Sequence, residues 1–120
     1  MAQFYLAKLV FNINIGENNS PQFDEQLRLI EARNEQEAFM KARIFGVKEE
    51  DTFVNESSNA VKWQFVDVAY IKPIHEFKDG MEIQSQIHEH EEPHHYINFI
   101  QQMAKNIESK TVRAYEVMVP

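Results

Sequence analysis

From Tyr5 to Ile15 every odd position is apolar (Tyr5, Ala7, Leu9, Phe11, Ile13, Ile15), whereas Lys8, Asn12 and Asn14 stand at even ones. A period of two places alternate side chains on one face and predicts a strand with that face buried. The turn formers of Gly16–Pro21 follow, and then Phe23, Leu27 and Leu29 alternate with Asp24, Gln26 and Arg28, which predicts a hairpin with a longer loop. The period then changes. Asn34 suits a helix N-cap with Glu37 as its capping-box partner, Ala38, Ala42 and Phe45 form an apolar stripe, Lys41 and Arg43 lie near the negative end, and Gly46 offers a left-handed stop. Lys48–Asn59 is mostly polar, with Phe53 and Val54 its apolar pair, and reads as a surface connection.

Val61–Ile71 is rich in β-branched and aromatic residues and predicts a central strand, ended or bent by Pro73. Its apolar phase shifts near Phe65-Val66, which implies a bulge or burial on both faces. After the turn signal Asp79-Gly80, the residues Met81, Ile83 and Ile87 alternate with Glu82, Gln84, Gln86, His88 and His90, predicting a fourth strand. Pro93 fits the first position of a second helix, along which Tyr96, Phe99, Ile100, Met103, Ala104 and Ile107 recur at helical spacing. The tail 111–119 reads as a short strand, with extension of the helix as the alternative. The elements compose an α+β fold of order β-β-α-β-β-α(-β): a mostly antiparallel sheet of four or five strands with two helices on one face, in a single domain over 1–120. Phe4, Leu6 and Val10, with Val66 and Val68, fall on the other face and need cover, which predicts a homodimer through that face or a sheet edge.

Composition narrows the function. The chain of 120 residues carries a formal charge of −7 and no cluster of Lys and Arg, so a nucleic-acid partner is not expected. Cysteine is absent, which excludes thiol nucleophiles, disulfides and thiolate metal sites. No apolar run is long enough to span a bilayer, so no membrane partner is expected. The opening Met1-Ala2-Gln3-Phe4-Tyr5 lacks the features of a signal peptide, and a cytoplasmic location is predicted.

Several segments together carry a family resemblance: Tyr5–Phe11, Glu25–Ala32, Glu37–Ala42 and Val61–Val68. The chain resembles an uncharacterised bacterial domain-of-unknown-function family, number 4288 in that series, over roughly residues 4–90. The match is a pattern of core positions. It implies a shared fold and brings no assigned catalytic residues, cofactor or partner.

The densest chemistry lies in His88-Glu89-His90-Glu91-Glu92-Pro93-His94-His95. Imidazole ligates zinc and other divalent transition metals, and His88 and His90, two apart on a strand, would point the same way. His88, His90, His94 and His95 are therefore the candidate metal ligands. The competing reading is a solvated acidic turn, since His88 and His90 also continue the polar face set by Glu82, Gln84 and Gln86. His75 with Glu76 has the chemistry of an acid/base pair, but adjacent strand residues face opposite sides. Ser20, Ser57, Ser58, Ser85 and Ser109 lack a Gly-x-Ser-x-Gly context, and the glycines Gly16, Gly46 and Gly80 are each accounted for by a turn or helix end, leaving no phosphate-cradling loop. The strand aromatics read as core or subunit interface; Trp63 should pack against a helix, and Tyr70, on the opposite phase, should reach a groove or partner. With no evident reactive group, the favoured function is a non-enzymatic interaction module, a homodimer with a possible unidentified protein partner. The alternatives are a metal-binding protein on the histidine segment and a small-ligand binder with a pocket between sheet and helices.

Overall fold

The computed structural model of the chain describes residues 3–16 and 21–118. Its elements are β1 (Gln3–Ile15), β2 (Gln22–Ala32), α1 (Glu35–Lys48), β3 (Asp51–Val54), β4 (Ala60–Ile74) and α2 (Pro93–Met118). They fall into two compact units, Met1–Met81 and Glu82–Pro120. The order β-β-α-β-β-α is the expected one, and the class is α+β.

In the first unit four antiparallel strands form one curled sheet in the order β2-β1-β4-β3. β1 is central, paired along its length with β2 on one side and β4 on the other. Of its odd positions Tyr5, Ala7, Leu9 and Phe11 are at most 2% exposed and join Ile30, Ala32, Ala38 and Ala42 in the core; of its even positions Leu6 is also buried. Burying Leu9, Phe11 and Ile30 removes three large side chains from water, each contributing about 1.5–3 kcal/mol. Trp63, Phe65, Val68 and Ile71 of β4 pack against the same cluster, and Phe11 lies 5.5 Å from Phe65 and 6.2 Å from Trp63 between ring centroids.

The phase shift near Phe65-Val66 is a real irregularity. The β1–β4 register slips between Lys8 and Leu9 and again between Val10 and Phe11. Two extra residues on β4 keep both apolar phases in use along one strand.

α1 starts as its sequence dictates. Asn34 Oδ1 accepts from the Glu37 N–H at 2.8 Å. The Glu37 carboxylate, however, does not complete the box; it turns to Arg33, whose Nε donates to it at 2.9 Å. Two expectations about this helix are corrected. Gly46 does not stop it: the helix runs on to Lys48, Gly46 is buried, and a Cβ there would be driven into the Phe65 ring. Phe45 is 38% exposed, and the buried row is Ala38, Ala42 and Gly46. With only small residues on that row, the helix axis comes close enough to the sheet for the Phe65 ring to fill the space a side chain would take.

Other boundaries also move. The polar connection 48–59 contains the short strand β3, which pairs Asp51–Val54 with Trp63–Ala60. Asn55 makes the turn to β4: its Oδ1 accepts from the Ser57 and Asn59 N–H groups, both at 3.0 Å, and Ser58 takes φ 63°. Val68 lies opposite Leu9 on the α1 side rather than on the far face. Residues 81–90 form no strand; their alternation finds no pairing edge among the described residues. The tail 111–118 continues α2 instead of forming a strand, and residue 119 lies outside the described residues. In the second unit α2 is one helix of 26 residues.

Candidate functional site

Directly opposed residues of an antiparallel pair share a face, so the register assigns the sheet's two sides. α1 covers the side of Leu9 and Phe11. On the other side Leu6 stands opposite Leu29, Lys8 opposite Leu27, and Asn12 opposite Phe23. Leu27, Leu29 and Phe23 are 46%, 54% and 61% exposed. Phe77 meets Phe4 edge-on with centroids 6.1 Å apart and widens the patch. Its charges are of both signs: Lys8 reaches Glu25 at 3.5 Å, and Glu31 and Lys72 lie opposite Phe4 and Leu6.

A second feature lies on the far edge of β4. β3 pairs only with Ala60–Trp63, and among the described residues no strand pairs with that edge from Gln64 to Ile74. A groove of about 440 Å³ runs between this edge and the first turns of α1, lined by Glu35, Gln36, Phe39, Val68, Tyr70 and Ile71, with Ala69 between. Its wall is braced. Arg43 donates to Asp67 through two nitrogens, at 2.9 and 3.0 Å, and its guanidinium lies 4.2 Å above the Phe39 ring. The hydrogen bond from Arg43, then that from the Val68 N–H, holds the Asp67 carboxyl below its usual range, and the same pair raises Arg43. The Glu37 carboxyl is likewise lowered, first by its hydrogen bond with Arg33.

Of the histidine segment, the structure brings together two of the four candidates. His88 Nδ1 and His90 Nε2 are 3.0 Å apart, and the His90 ring stacks on Tyr96 at 4.1 Å. His95 Nδ1 pairs instead with Glu92, one turn away. His94 is exposed, and among the described residues no three His, Asp or Glu side chains gather as a metal site. Glu76 pairs with Lys78 at 3.5 Å rather than with His75. Tyr70 lines the groove and Trp63 lies on the helix side of the sheet, as their phases predicted. The sequence offered a pocket between sheet and helices and Tyr70 as a groove residue, but not the rest of the lining. Its one trace in the sequence is the uncharged run Val68–Ile71 set between Asp67 and Lys72-Pro73.

These features define a class: a small α+β domain built on a curled four-stranded sheet, with one face under a helix and no assembled catalytic constellation among the described residues. Residues 4–85 match the family model described as Domain of unknown function (DUF4288), and the chain belongs to that family. The matched segment spans α1 and, save Gln3, all four strands. No curated protein and no solved structure matches the chain. No helix of the described residues is long and apolar enough to cross a membrane.

Proposed function

We infer that the chain is a non-enzymatic interaction module that works as a homodimer joined through the open face of its sheet. The observation that carries this reading is the run of exposed Phe23, Leu27 and Leu29 along β2, on the side opposite α1. Three long strands about 4.8 Å apart present on the order of 500 Å² per copy. A face-to-face pair buries on the order of 1,000 Å², the lower bound for a specific interface. A self-complementary face must offer both charge signs, and the Lys8–Glu25 pair with Glu31 and Lys72 does so. The absence of cysteine and the family resemblance support placing this dimer in the bacterial cytoplasm. Light scattering across a concentration series tests the reading: a mass approaching twice 14.2 kDa is expected, and a 14.2 kDa monomer at every concentration overturns it.

A second reading rests on the 3.0 Å approach of His88 Nδ1 and His90 Nε2. Two imidazoles at that separation can chelate one zinc, nickel or iron ion, with the remaining positions open to water or substrate. Metal analysis of untagged protein, compared with His88→Ala/His90→Ala, decides it. Near-stoichiometric metal that vanishes in the variant supports a metalloprotein and a search for hydrolytic or oxidative activity; metal-free protein removes the reading.

A further inference from the structure

We propose that the groove between α1 and the free edge of β4 is a strand-addition site for an extended, basic peptide segment of a partner protein. Beyond Trp63 the outer edge of β4 has no strand beside it among the described residues. An unpaired edge offers a row of main-chain donors and acceptors whose natural complement is another extended backbone. That edge is blunted at intervals: the Phe65 N–H is given to Glu50 Oε2, Asp67 is charged and tied to Arg43, Lys72 is charged, and Pro73 has no N–H. Between these lies a window without charge or proline, Val68-Ala69-Tyr70-Ile71, in which the Val68 N–H is already given to Asp67 Oδ1, so that a partner strand would pair with the main-chain groups beyond it. The groove is lined by the same four residues.

The window is short, so a ligand binding there needs side-chain contacts as well. A strand laid along it would turn alternate side chains towards α1, where Phe39, Val68 and Ile71 provide an apolar floor of one or two side chains' size. The Arg43 guanidinium, itself paired with Asp67, lies over the Phe39 ring. The one charged side chain on the lining is Glu35, and it makes no ion pair among the described residues. A carboxylate at the rim of an apolar groove, on a chain of net charge −7, favours Lys or Arg beside the apolar anchor and disfavours acidic peptides. A flexible peptide is the occupant that fits an edge window of four residues; a second copy of the sheet would need a longer free edge to pair with.

The test is selection of random peptides displayed on phage against the full chain, followed by fluorescence anisotropy of the enriched synthetic peptides. Enriched sequences alternate apolar residues and carry Lys or Arg. N-methylation of alternate peptide residues, which removes main-chain donors and leaves every side chain, weakens binding at least tenfold. Glu35→Lys weakens it several-fold, and Ala69→Arg, an exposed position at which a charge blunts the edge, abolishes it while Trp63 fluorescence reports an unchanged fold. The Leu27→Lys/Leu29→Lys chain binds the peptide as the natural chain does, so this site and the dimer reading fail separately. The proposal is overturned if no peptide is enriched over the bare support, if N-methylation or Ala69→Arg leaves affinity unchanged, or if Ala69→Arg instead converts a dimer to a monomer, which would assign the edge to a second copy.

Discussion

Replacing Gly46 by Ala opposes two effects whose sum the structure decides. In an exposed helix interior the change stabilises by roughly 0.5–1 kcal/mol, because alanine loses less backbone freedom on folding. At Gly46 the backbone is helical, so the substitution meets no φ penalty, but the new methyl enters the Phe65 ring. That ring is packed on Phe11, itself fully buried, and cannot withdraw without disturbing the core. Overpacking of this kind costs typically 1–3 kcal/mol, occasionally more. The expected net loss is therefore about 1–2 kcal/mol, a fall in midpoint of roughly 4–16 °C for a domain this small. Trp63, the sole tryptophan, lies against the same cluster and reports urea or thermal unfolding of the first unit directly. Phe65→Leu provides the control: if the clash is the cause, Gly46→Ala costs markedly less in that background, with a coupling of about 1 kcal/mol in the double-mutant cycle. An unchanged or raised midpoint for Gly46→Ala, or strict additivity with Phe65→Leu, would refute the close-approach account and return Gly46 to the role of an ordinary helix terminus.

Removing the cap by Asn34→Ala should cost about 1 kcal/mol, read as a lowered urea midpoint, since the Glu37 N–H loses its acceptor. Asn12→Val should raise stability by about 1 kcal/mol, read as a higher urea midpoint, because the Asn12 Oδ1 is buried without a hydrogen-bond partner and valine removes the unsatisfied group. Asp67 has a lowered pKa in the folded chain, so the stability it supplies is present above the unfolded carboxylate value of about 3.9 and is lost as pH falls towards the folded one. Asp67→Asn should therefore reduce stability at neutral pH and flatten its fall below about pH 4, measured as urea midpoints at several pH values; an unchanged acid limb would contradict the Arg43 pairing as its source.

The parts of the fold legible in the sequence are those where one local signal had no rival. β1 alternates over eleven residues, and Asn34 followed by Glu37 opens α1. The bulge in β4 showed as a change of apolar phase. Misreadings arose where the same pattern has two physical outcomes. Met81, Ile83 and Ile87 alternate like a strand, yet alternation supplies no partner edge, and 81–90 remains unpaired. The tail 111–118 has β-branched and aromatic residues, but it follows an established helix, and adding a turn to an existing helix needs no new nucleus. Gly46 reads alike as a stop and as a contact glycine until its neighbour is known. That Leu6 and Val10 lie on the face away from α1 was foreseen because strand parity is local. The position of the groove was not legible, because it depends on where β3 ends, a property of pairing that the polar segment 48–59 did not announce.

Self-association through the sheet face that carries Phe23, Leu27 and Leu29 is tested in sedimentation velocity of the full chain beside Leu27→Lys/Leu29→Lys at matched concentrations. Both leucines point away from the helix-covered core and are about half exposed, so the variant should keep its fold and its Trp63 signal. The natural chain is expected to sediment as a dimer that becomes a 14.2 kDa monomer in the variant. A natural chain that sediments as a monomer, or a variant that remains dimeric, would contradict it.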